Sequence, residues 1–362
     1  MQKTIKHAFL QRISTVQKKF PSYQVDGILF SNISNIRYLS GFTGSDGILI
    51  LSADAVWLLV DGRYTTQAVA EVQPVSVVQY QNKIQGIEKA VKELGLTKIG
   101  FEAPFVSVEM YNDLTRGLKQ AKLVPLGDEL RLLRAYKDKH EITVMKKAAT
   151  IASEAVAALA GEIQPGWTEQ EAALQLEMTA RRAGAEQIAF ETIIASGKHA
   201  ALPHAQPTNR KIRNGDFVVI DFGVKYQGYC SDETCTFAIG ELTGDQKNAY
   251  RAVLQAHDEA IAFIKAGIVA ADVDALVRRV LGKKYSRYFV HGTGHGVGLE
   301  VHEAPRLAPN SQDVLNSGMV VTVEPGLYYP GRWGIRIEDT VSVKENSCEI
   351  ITKMKKHYVI IE

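Results

Sequence analysis

Apolar positions in the first third of the chain repeat at two periods, one typical of helices and one typical of strands. Ile5, Phe9, Ile13, Val16 and Phe20 recur at helical spacing and stop before Pro21, which predicts an amphipathic opening helix. Further apolar patterns predict strands at residues 27–30, 47–51 and 56–60 and helices near residues 65–72 and 84–94. Strands that alternate with helices indicate an α/β domain.

A polar stretch at residues 134–140 ends this pattern. It precedes a helix whose apolar residues share one face, namely Ile142, Met145, Ala149, Ala152, Val156 and Leu159. We therefore place the boundary near residue 135 and predict an N-terminal domain at 1–134 and a second domain at 135–362. Further helices near residues 168–183 and 243–265, with β-rich segments around them, indicate an α+β domain with a curved, mainly antiparallel sheet. Helices would cover its outer face and leave the concave face for a substrate.

Composition mainly excludes classes of function. A chain of 362 residues with 46% hydrophobic and 23% charged residues is typical of a globular protein with more than one domain. A net charge of +2 with scattered lysines gives no reason to expect a nucleic-acid or membrane partner. No apolar run reaches the length of a signal peptide or a membrane span, so we expect a cytoplasmic protein. The three cysteines form no CxxC pair and are interpreted as reduced packing residues.

Two acidic residues bracket the first predicted hairpin of the second domain. Asp221 and Asp232 lie in β-rich sequence around a turn expected near Tyr226 and Gln227. A hairpin centred there places the two residues directly opposite each other, with Cβ atoms about 4.5 to 5.5 Å apart. Carboxylates that close repel each other and shift each other's pKa unless a cation lies between them.

A second hairpin repeats the arrangement. Glu324 and Glu338 are equidistant from Gly331 in a Pro-Gly turn, and His295 lies between the two hairpins in a glycine-rich segment that allows close backbone approach. Each of the five residues taken alone has an ordinary surface interpretation. Asp221 and Glu324 nevertheless follow apolar strand sequence, where a solitary charge is costly to bury. Together the five residues indicate a metal site.

Four carboxylates balance the charge of two divalent cations. Oxygen donors with one imidazole favour Mn²⁺, with Co²⁺, Fe²⁺ or Zn²⁺ as alternatives. Two such ions about 3.5 to 4 Å apart can share a bridging hydroxide as the nucleophile and polarise a carbonyl group. The residues therefore predict a dinuclear metal-dependent hydrolase.

These residues resemble the motifs of the metal-dependent "pita-bread" peptidases, which include methionine aminopeptidase, prolidase and aminopeptidase P. The matching motifs are Asp221-Phe-Gly with Asp232 eleven residues on, Gly294-His-Gly-Val-Gly, Glu324-Pro-Gly, Arg336-Ile-Glu-Asp and, upstream, Pro203-His204-Ala. Their order and spacing agree across roughly residues 138–362. The resemblance implies a pita-bread fold for the second domain and assigns Asp221, Asp232, His295, Glu324 and Glu338 as metal ligands.

The preceding domain is similar to the creatinase/prolidase N-terminal type and favours the Xaa-Pro branch of this family. The sequences from Asn35 to Ser45 and from Asp61 to Tyr64 are more similar to aminopeptidase P than to prolidase. We therefore expect an Xaa-Pro aminopeptidase that acts on proline-containing peptides. The alternatives are a prolidase, which cleaves Xaa-Pro dipeptides, and more remotely a non-catalytic binding protein or a creatinase-like hydrolase on the same fold. Retention of all five ligands argues against the last two.

The resemblance also implies roles for residues around the metals. His204 and His302 would stabilise the oxyanion, and Glu324 would carry a proton to the departing prolyl nitrogen after the bridging hydroxide attacks the Xaa-Pro bond. On the substrate side we place His291, Tyr328 and Arg336, and Arg336 would also hold a ligand carboxylate in place. The other five histidines are interpreted as structural: His7, His140, His199, His257 and His357.

Two further expectations come from the resemblance. Many relatives have an arginine where this chain has Cys235, a difference that removes no ligand but bears on the surroundings of Asp232. Members of the family also lead us to expect a homodimer.

Overall fold

The computed structural model describes residues 2–72, 75–356 and 360–361, so His357 lies outside the described residues. The chain divides into two compact units, Met1–Arg134 and Ala135–Glu362. Each unit has its own sheet system and its own buried apolar cluster. No helix in the described ranges is long and apolar enough to cross a membrane.

The first unit is an α/β structure, as the alternation of apolar patterns predicts. Its helices are α1 (Gln2–Gln17), α2 (Phe20–Tyr23), α3 (Ile33–Ser40), α4 (Thr65–Glu71), α5 (Lys83–Glu93), α6 (Val108–Gly117) and α7 (Asp128–Arg131). Its strands are β1 (Gly27–Phe30), β2 (Ile48–Ser52), β3 (Val56–Val60), β4 (Ser76–Gln79), β5 (Lys98–Glu102) and β6 (Lys122–Leu126). They form one mixed sheet in the order β4-β3-β2-β1-β5-β6.

The opening helix differs in one detail from the prediction. Helix α1 ends at Gln17, and Phe20 begins the separate short helix α2, which contains Pro21 in its first turn. Proline is tolerated there because the first turn of a helix leaves its backbone N–H groups without intrahelical partners. Pro21 therefore starts an element instead of only ending one.

The second unit is built from α-helices and short strands. Its helices are α8 (Lys139–Glu162), α9 (Glu169–Arg182), α10 (Gly244–Phe263) and α11 (Ala270–Tyr285), with 3₁₀ helices at Gly197–Ala201 and Ser286–Tyr288. Its strands are β7 (Gln187–Ile188), β8 (Ile193–Ser196), β9 (Phe217–Phe222), β10 (Val224–Tyr226), β11 (Tyr229–Cys230), β12 (Glu233–Ile239), β13 (Gly294–Gly296), β14 (Glu303–Leu307), β15 (Val320–Val323), β16 (Gly326–Tyr329), β17 (Trp333–Arg336), β18 (Asp339–Val343), β19 (Cys348–Ile350) and β20 (Ile360–Ile361). Among the described pairings only β12 with β20 is parallel, so the sheets are mainly antiparallel as predicted.

Strand alternation separates a helix-covered face from the opposite face in β9 and β12. Val218, Ile220 and Phe222 of β9 join the apolar cluster formed by α8 and α9, and so do Phe237 and Ile239 of β12. Because successive side chains point to opposite faces of a strand, Asp221 and Thr234 point away from these helices. The predicted placement of helices on one face of the sheet is confirmed.

The register of the first hairpin corrects the prediction. Tyr226 pairs with Tyr229 around a turn formed by Gln227 and Gly228, both with positive φ. This turn lies one residue later than expected, so Asp221 pairs with Thr234 and not with Asp232. Asp232 is therefore a diagonal neighbour of Asp221, two positions away on the opposing strand.

The register of the second hairpin agrees with the prediction. Val323 pairs with Asp339 on one side, and Gly326 pairs with Arg336 on the other. Glu324 and Glu338 are therefore opposite each other in the register of the hairpin. Gly331, with φ of 71°, lies at the centre of the turn. The Pro-Gly sequence is sufficient to place this turn because glycine adopts positive φ without steric cost.

Glycine is required where β17 passes the first 3₁₀ helix, since a Cβ on Gly334 would overlap the carbonyl group of Ala200. We expect Gly334→Ala to lower the free energy of unfolding by about 1 to 3 kcal/mol through overpacking. The matched control is Gly161→Ala, because Gly161 lies in α8 with no atom close to the added methyl group. The control should be neutral or stabilising by up to about 1 kcal/mol. Urea unfolding of both variants measures the difference, and equal midpoints would contradict the prediction.

Candidate metal centre and active site

Three of the five predicted ligands converge in the interior of the second unit. Asp232, His295 and Glu338 each offer a ligand atom, and these atoms lie within 4.8 Å of one another. The side chain of Asp232 is 6% exposed and that of His295 is 13% exposed. Loops and hairpins that are far apart in the sequence thus bring two carboxylates and one imidazole into one small volume.

Glu324 and Asp221 adjoin this group. His295 Nε2 lies 3.4 Å from Glu324 Oε1 and 3.6 Å from Asp232 Oδ2. Glu324 Oε1 also accepts a hydrogen bond from Thr322 Oγ1 at 3.3 Å. Asp221 Oδ2 accepts from Arg336 Nη2, whereas its buried Oδ1 has no hydrogen-bond partner. The structure therefore brings all five predicted residues to one site and leaves a buried acceptor unsatisfied there.

Burial and mutual repulsion dominate the electrostatics of the carboxyl groups. Desolvation, followed by the charges of Glu338, Asp221 and Glu324, raises the pKa of Asp232 well above its usual value. Desolvation and the charges of Glu324 and Asp221 likewise raise the pKa of Glu338. Desolvation raises the pKa of Glu324 to about 7, although Arg336 opposes the shift. Without a cation, this cluster holds protons at a pH where exposed carboxyl groups are ionised.

The hydrogen bonds of His295 fix which of its nitrogens faces the carboxylates. Nδ1 lies 3.0 Å from the carbonyl oxygen of Gly296, which assigns the ring proton to Nδ1. Nε2 then presents its lone pair to Asp232 and Glu324. Desolvation also lowers the pKa of His295, so burial favours the neutral ring that a metal ligand requires.

The glycines around His295 allow this close packing, as the sequence predicts. A Cβ on Gly294 would overlap the carbonyl of Thr322, and one on Gly296 would overlap the carbonyl of Ala304. The backbone amide of His295 donates to Thr322 Oγ1 at 3.1 Å. Backbone contacts on both sides therefore hold the imidazole in place.

The donor set and the unsatisfied acceptor fit a pair of divalent cations. A cation would stabilise carboxylates that repel one another in the metal-free protein, and it would give Asp221 Oδ1 a partner. Four carboxylates and one imidazole are hard or borderline donors that suit divalent ions of the first transition row. Asp221, Asp232, His295, Glu324 and Glu338 are the residues that would hold them.

Arg336 connects the carboxylates to the rest of the site. Its Nη2 donates to Asp221, its Nε donates to Thr234 Oγ1 at 3.1 Å, and its Nη1 donates to the Pro203 carbonyl at 3.1 Å and to Tyr328 OH at 2.7 Å. Burial alone would lower its pKa, but Tyr328, Asp221 and Glu324 raise it above the usual value. A guanidinium group that is permanently charged and has all three nitrogens engaged holds Asp221 in one orientation.

The two histidines expected to contact the scissile group lie at the accessible side of the site. The rings of His302 and His295 are 4.3 Å apart in an edge-to-face arrangement, and His302 is exposed. Desolvation and then the charge of His295 lower the pKa of His302 to about 4. His204 is also exposed, and its charge opposes the rise in the pKa of Glu324. Both histidines can therefore reach solvent or a substrate.

His291 and Tyr328, which we placed on the substrate side, are hydrogen-bonded to each other. His291 Nδ1 lies 2.8 Å from the carbonyl oxygen of Gly292, and its Nε2 lies 2.9 Å from Tyr328 OH. Tyr328 OH also accepts from Arg336, so the hydroxyl donates to His291. Desolvation and Arg336 lower the pKa of His291 to about 4. Because their polar atoms are engaged, these two rings can offer a substrate mainly their faces.

Two threonines that the sequence motifs do not indicate support the carboxylates. Thr234 Oγ1 donates to Glu338 Oε2 at 2.6 Å, and Thr322 bonds both His295 and Glu324. The period-two alternation of β12 and β15 could have revealed them, since Thr234 lies two residues after Asp232 and Thr322 two residues before Glu324.

A second buried charge cluster lies on the opposite face of the same strands. Lys356 Nζ is 3.1 Å from Glu233 Oε2 and 3.4 Å from Asp339 Oδ1, and His257 Nε2 is 3.3 Å from Asp339 Oδ2. His257, which we interpreted as structural, is 2% exposed and lies within this cluster. Each of the two carboxylates directly follows a candidate metal ligand in the sequence.

Cys235 belongs to this opposite-face cluster. Its Sγ lies 3.5 Å from Lys356 Nζ, and burial raises the pKa of its thiol to about 12. Cys235 thus lies on the helix-covered face of β12, opposite the face to which Thr234 points. Cys230, Cys235 and Cys348 are all free thiols, as predicted.

Comparison with known proteins gives consistent matches over nearly the whole chain. The model of metallopeptidase family M24 matches residues 143–345, and that of the creatinase/prolidase N-terminal domain matches residues 12–136. A solved Xaa-Pro dipeptidase from Bacillus anthracis is 40% identical, with a TM-score of 0.95 over 98% of this chain and 100% of that chain. An X-Pro aminopeptidase from Thermotoga maritima is 36% identical, with a TM-score of 0.89 over 96% and 99% of the two chains. A prolidase from Pyrococcus horikoshii is 34% identical, with a TM-score of 0.92 over 96% and 100%.

These matches confirm two expectations. The resemblance to the pita-bread metallopeptidases of the Xaa-Pro branch is confirmed by the family match and by the named relatives. The fold class, an α/β domain followed by a pita-bread domain with a mainly antiparallel sheet, is confirmed by the structural matches.

The raised pKa of Glu324 predicts a pH-dependent response to metal. The folded, metal-free protein binds more protons than the unfolded chain between pH 4.5 and about 7, so its free energy of unfolding falls as the pH rises through that window. A bound cation stabilises the ionised carboxylates, so the free energy of unfolding of the metal-bound protein does not fall in this way. We therefore expect Mn²⁺ to raise the urea midpoint of EDTA-treated protein more at about pH 8 than at about pH 5. An equal effect at both pH values would contradict the prediction.

The cluster behind the site predicts a large stability loss when its lysine is removed. Lys356→Met leaves Glu233 and Asp339 buried without this cation, and we expect the free energy of unfolding to fall by about 3 to 5 kcal/mol. Lys355→Met is the matched control, because Lys355 is exposed in the same segment and should change stability by no more than about 0.5 kcal/mol. Urea unfolding measures both variants. A Lys356→Met protein as stable as the control would show that the carboxylates do not depend on this ion pair.

Proposed function

The chain belongs to metallopeptidase family M24, and on that basis we propose that it hydrolyses the bond between the N-terminal residue of a peptide and a proline in second position. The observation that carries this proposal is the convergence of Asp221, Asp232, His295, Glu324 and Glu338 around one buried volume. Relatives with Xaa-Pro activity in their names cover almost the entire chain, which supports the same substrate class.

We propose Mn²⁺ as the metal, with Co²⁺, Zn²⁺ or Fe²⁺ as alternatives, because oxygen donors outnumber nitrogen donors at the site. When bound, two divalent cations provide Lewis acidity toward the scissile carbonyl and lower the pKa of a water molecule, which is what hydrolysis of a peptide bond requires. Arg336 would keep Asp221 oriented toward them, and Thr234 would do the same for Glu338.

Glu324 is proposed to carry the proton that the departing prolyl nitrogen needs. Its Oε1 is hydrogen-bonded to Thr322 and faces His295, and its Oε2 lies 3.9 Å from His291 Nδ1. Oε2, which is beyond hydrogen-bond distance of that nitrogen, is the atom proposed to take and release the proton. A carboxylate positioned beside the reacting group can act as a general acid and base in this way. When the C–N bond breaks, the departing nitrogen has to gain a proton, which the enzyme or solvent must provide.

His204 and His302 are proposed to stabilise the negative charge that develops on the scissile carbonyl oxygen. Both are exposed at the edge of the buried carboxylate group, and neither has a role in packing the core. Hydrogen-bond donors aimed at a developing oxyanion typically contribute about 3 to 4 kcal/mol each to catalysis. His291 and Tyr328 would present ring faces to the proline ring, since their polar atoms bond each other.

The comparisons favour dipeptides as substrates, which differs from the aminopeptidase that the N-terminal motifs led us to expect. The 40% identical structure is named an Xaa-Pro dipeptidase, and the 34% identical relative is named a prolidase. We therefore propose Xaa-Pro dipeptidase as the first candidate activity. Xaa-Pro aminopeptidase is the second candidate, supported by the 36% identical structure of that name.

A chain-length series tests the proposed function and separates its two forms. The Mn²⁺-loaded protein is incubated with Xaa-Pro, Xaa-Pro-Yaa and longer peptides, and the released N-terminal residue is quantified. A dipeptidase cleaves only the first, whereas an aminopeptidase cleaves the longer peptides as well. Peptides with alanine in second position are the control. A metal-loaded protein that cleaves none of the proline peptides would overturn the proposal, and a protein that binds no metal would support the non-catalytic alternative.

A ligand substitution should abolish this activity. We expect Asp232→Ala to lower kcat/KM by more than about 100-fold, because it removes a carboxylate from the centre of the proposed metal site. Metal content measured by elemental analysis should fall in parallel. Glu345→Ala is the matched control, since Glu345 is an exposed carboxylate of the same unit. Full peptide cleavage by Asp232→Ala would show that the reaction does not use this cluster.

A further inference from the structure

One buried carboxylate in the second unit has no place in the site described above. Glu169 is the first residue of α9, and it is fully buried with 0% exposure. A buried carboxylate is costly unless hydrogen bonds compensate it. The hydrogen-bond partners of the Glu169 carboxylate all belong to one segment, residues 196–208, which carries His204.

Glu169 connects the two ends of this segment. Its Oε1 accepts hydrogen bonds from the backbone N–H and the hydroxyl of Ser196, at 2.7 and 2.8 Å. Its Oε2 accepts from the backbone N–H and the hydroxyl of Thr208, at 3.0 and 2.6 Å. His199 Nδ1 lies 2.8 Å from the same Oε2. One carboxylate thus joins both ends of the segment, in addition to Arg210, which bonds Ser196 Oγ through its guanidinium group and Thr208 Oγ1 through its backbone N–H.

The middle of the segment is fixed to the proposed metal site. Arg336 donates to the carbonyl oxygen of Pro203, the residue before His204, and the same guanidinium group holds Asp221. The 3₁₀ helix within the segment packs against Gly334 so closely that no Cβ fits between them. His204 therefore extends from a loop that is anchored at its ends by Glu169 and at its centre by Arg336.

Capping of the helix does not explain why Glu169 is buried. Thr168 caps α9 by accepting from the backbone N–H of Glu171, and the side chain of Glu171 bonds back to Thr168. This reciprocal pair provides hydrogen-bond acceptors for the backbone N–H groups of Thr168 and Glu171 without the side chain of Glu169. The carboxylate of Glu169 is free to serve residues 196–208 alone.

We propose that Glu169 is the positioning residue for His204, and that through this loop it sets the distance between His204 and the scissile carbonyl group. The proposal rests on the proposed peptidase function for its catalytic consequence, but not for its structural one. A glutamine at this position has one acceptor oxygen and one NH₂ group. The NH₂ group would face the N–H and hydroxyl donors of Ser196 or Thr208, and a donor cannot accept their hydrogen bonds. The loop would then shift, and His204 with it.

The central variant is Glu169→Gln, with Glu171→Gln as the matched control on the same helix turn. We expect Glu169→Gln to lower kcat about 10- to 100-fold with little change in KM, because misplacement of a group by about 1 Å costs on that scale. The control should retain wild-type kcat. Equal kcat values for Glu169→Gln and the wild type would overturn the proposal.

A double-mutant cycle with His204→Ala distinguishes positioning from a general loss of structure. If Glu169 acts through His204, adding Glu169→Gln to His204→Ala should lower kcat no further. If Glu169→Gln lowers kcat by the same factor in both backgrounds, Glu169 does not act through His204 and the proposal fails.

A readout independent of activity follows the loop itself. Lys198 is exposed within the segment, so trypsin can report whether the loop is held in place. We expect cleavage after Lys198 to be faster in Glu169→Gln than in the wild type and in Glu171→Gln. Unchanged cleavage would overturn the proposal. A wild type that cleaves no proline peptide would overturn the proposed function, while this measurement would still decide whether Glu169 holds the loop.

A milder variant keeps the test decisive if Glu169→Gln does not fold. Thr208→Val removes one hydroxyl donor to Glu169 and leaves the backbone N–H bond in place. Because one bond remains, we expect a fall in kcat smaller than the roughly 10-fold lower bound for Glu169→Gln. This fall should disappear in the His204→Ala background. A fall that persists there would contradict the proposal.

Discussion

The second unit is organised by the repulsion among acidic side chains that its strands direct into one buried volume. Asp232 and Glu338 are almost completely enclosed, and Asp221 and Glu324 adjoin them. Carboxylates in such surroundings either hold protons or require cations. Arg336 provides one permanent positive charge and orients Asp221, but one guanidinium group cannot neutralise four carboxylates. The negative charge that Arg336 leaves uncompensated makes this volume a candidate site for divalent ions. The glycines beside His295 and the two threonines hold the candidate ligands in place there.

The same strands carry a second set of charges on their other face. Because side chains alternate, Glu233 follows Asp232 to the opposite side of β12, and Asp339 follows Glu338 to the opposite side of β18. The two sides are compensated differently. Behind the sheet Lys356 provides a cation that contacts both carboxylates, and Asp339 raises the pKa of the adjacent His257. The site itself retains a buried carboxylate oxygen, Asp221 Oδ1, with no protein partner. This difference separates a charge cluster that stabilises the fold from one that is prepared for a ligand.

Local sequence predicts those parts of the fold and site that depend on local rules. The Pro-Gly turn at Gly331 fixes the second hairpin, and its register follows from counting residues. The first hairpin was misplaced because Gln227 and Gly228, not Tyr226 and Gln227, form the turn, and Gln227 adopts a positive φ that is uncommon for its residue type. The contacts of Glu169 and Lys356 join residues separated by up to 123 positions in the chain, and no periodicity or motif indicates which groups meet. The five proposed ligands were found from sequence because their motifs are specific, not because the turns placed them.

The paired carboxylates of β12 have a consequence for how this strand finds its alignment. A slip of one residue would exchange Asp232 and Glu233, yet each side of the sheet would still receive an acidic group. Charge alone therefore cannot distinguish the correct alignment from the shifted one. What distinguishes them is the residues that follow, because Phe237 and Ile239 would leave the apolar cluster beneath α8 and α9 while Thr234 and Thr236 would enter it. The position of Asp232 is thus fixed by apolar side chains on the helix-covered face of the sheet, opposite the proposed metal site.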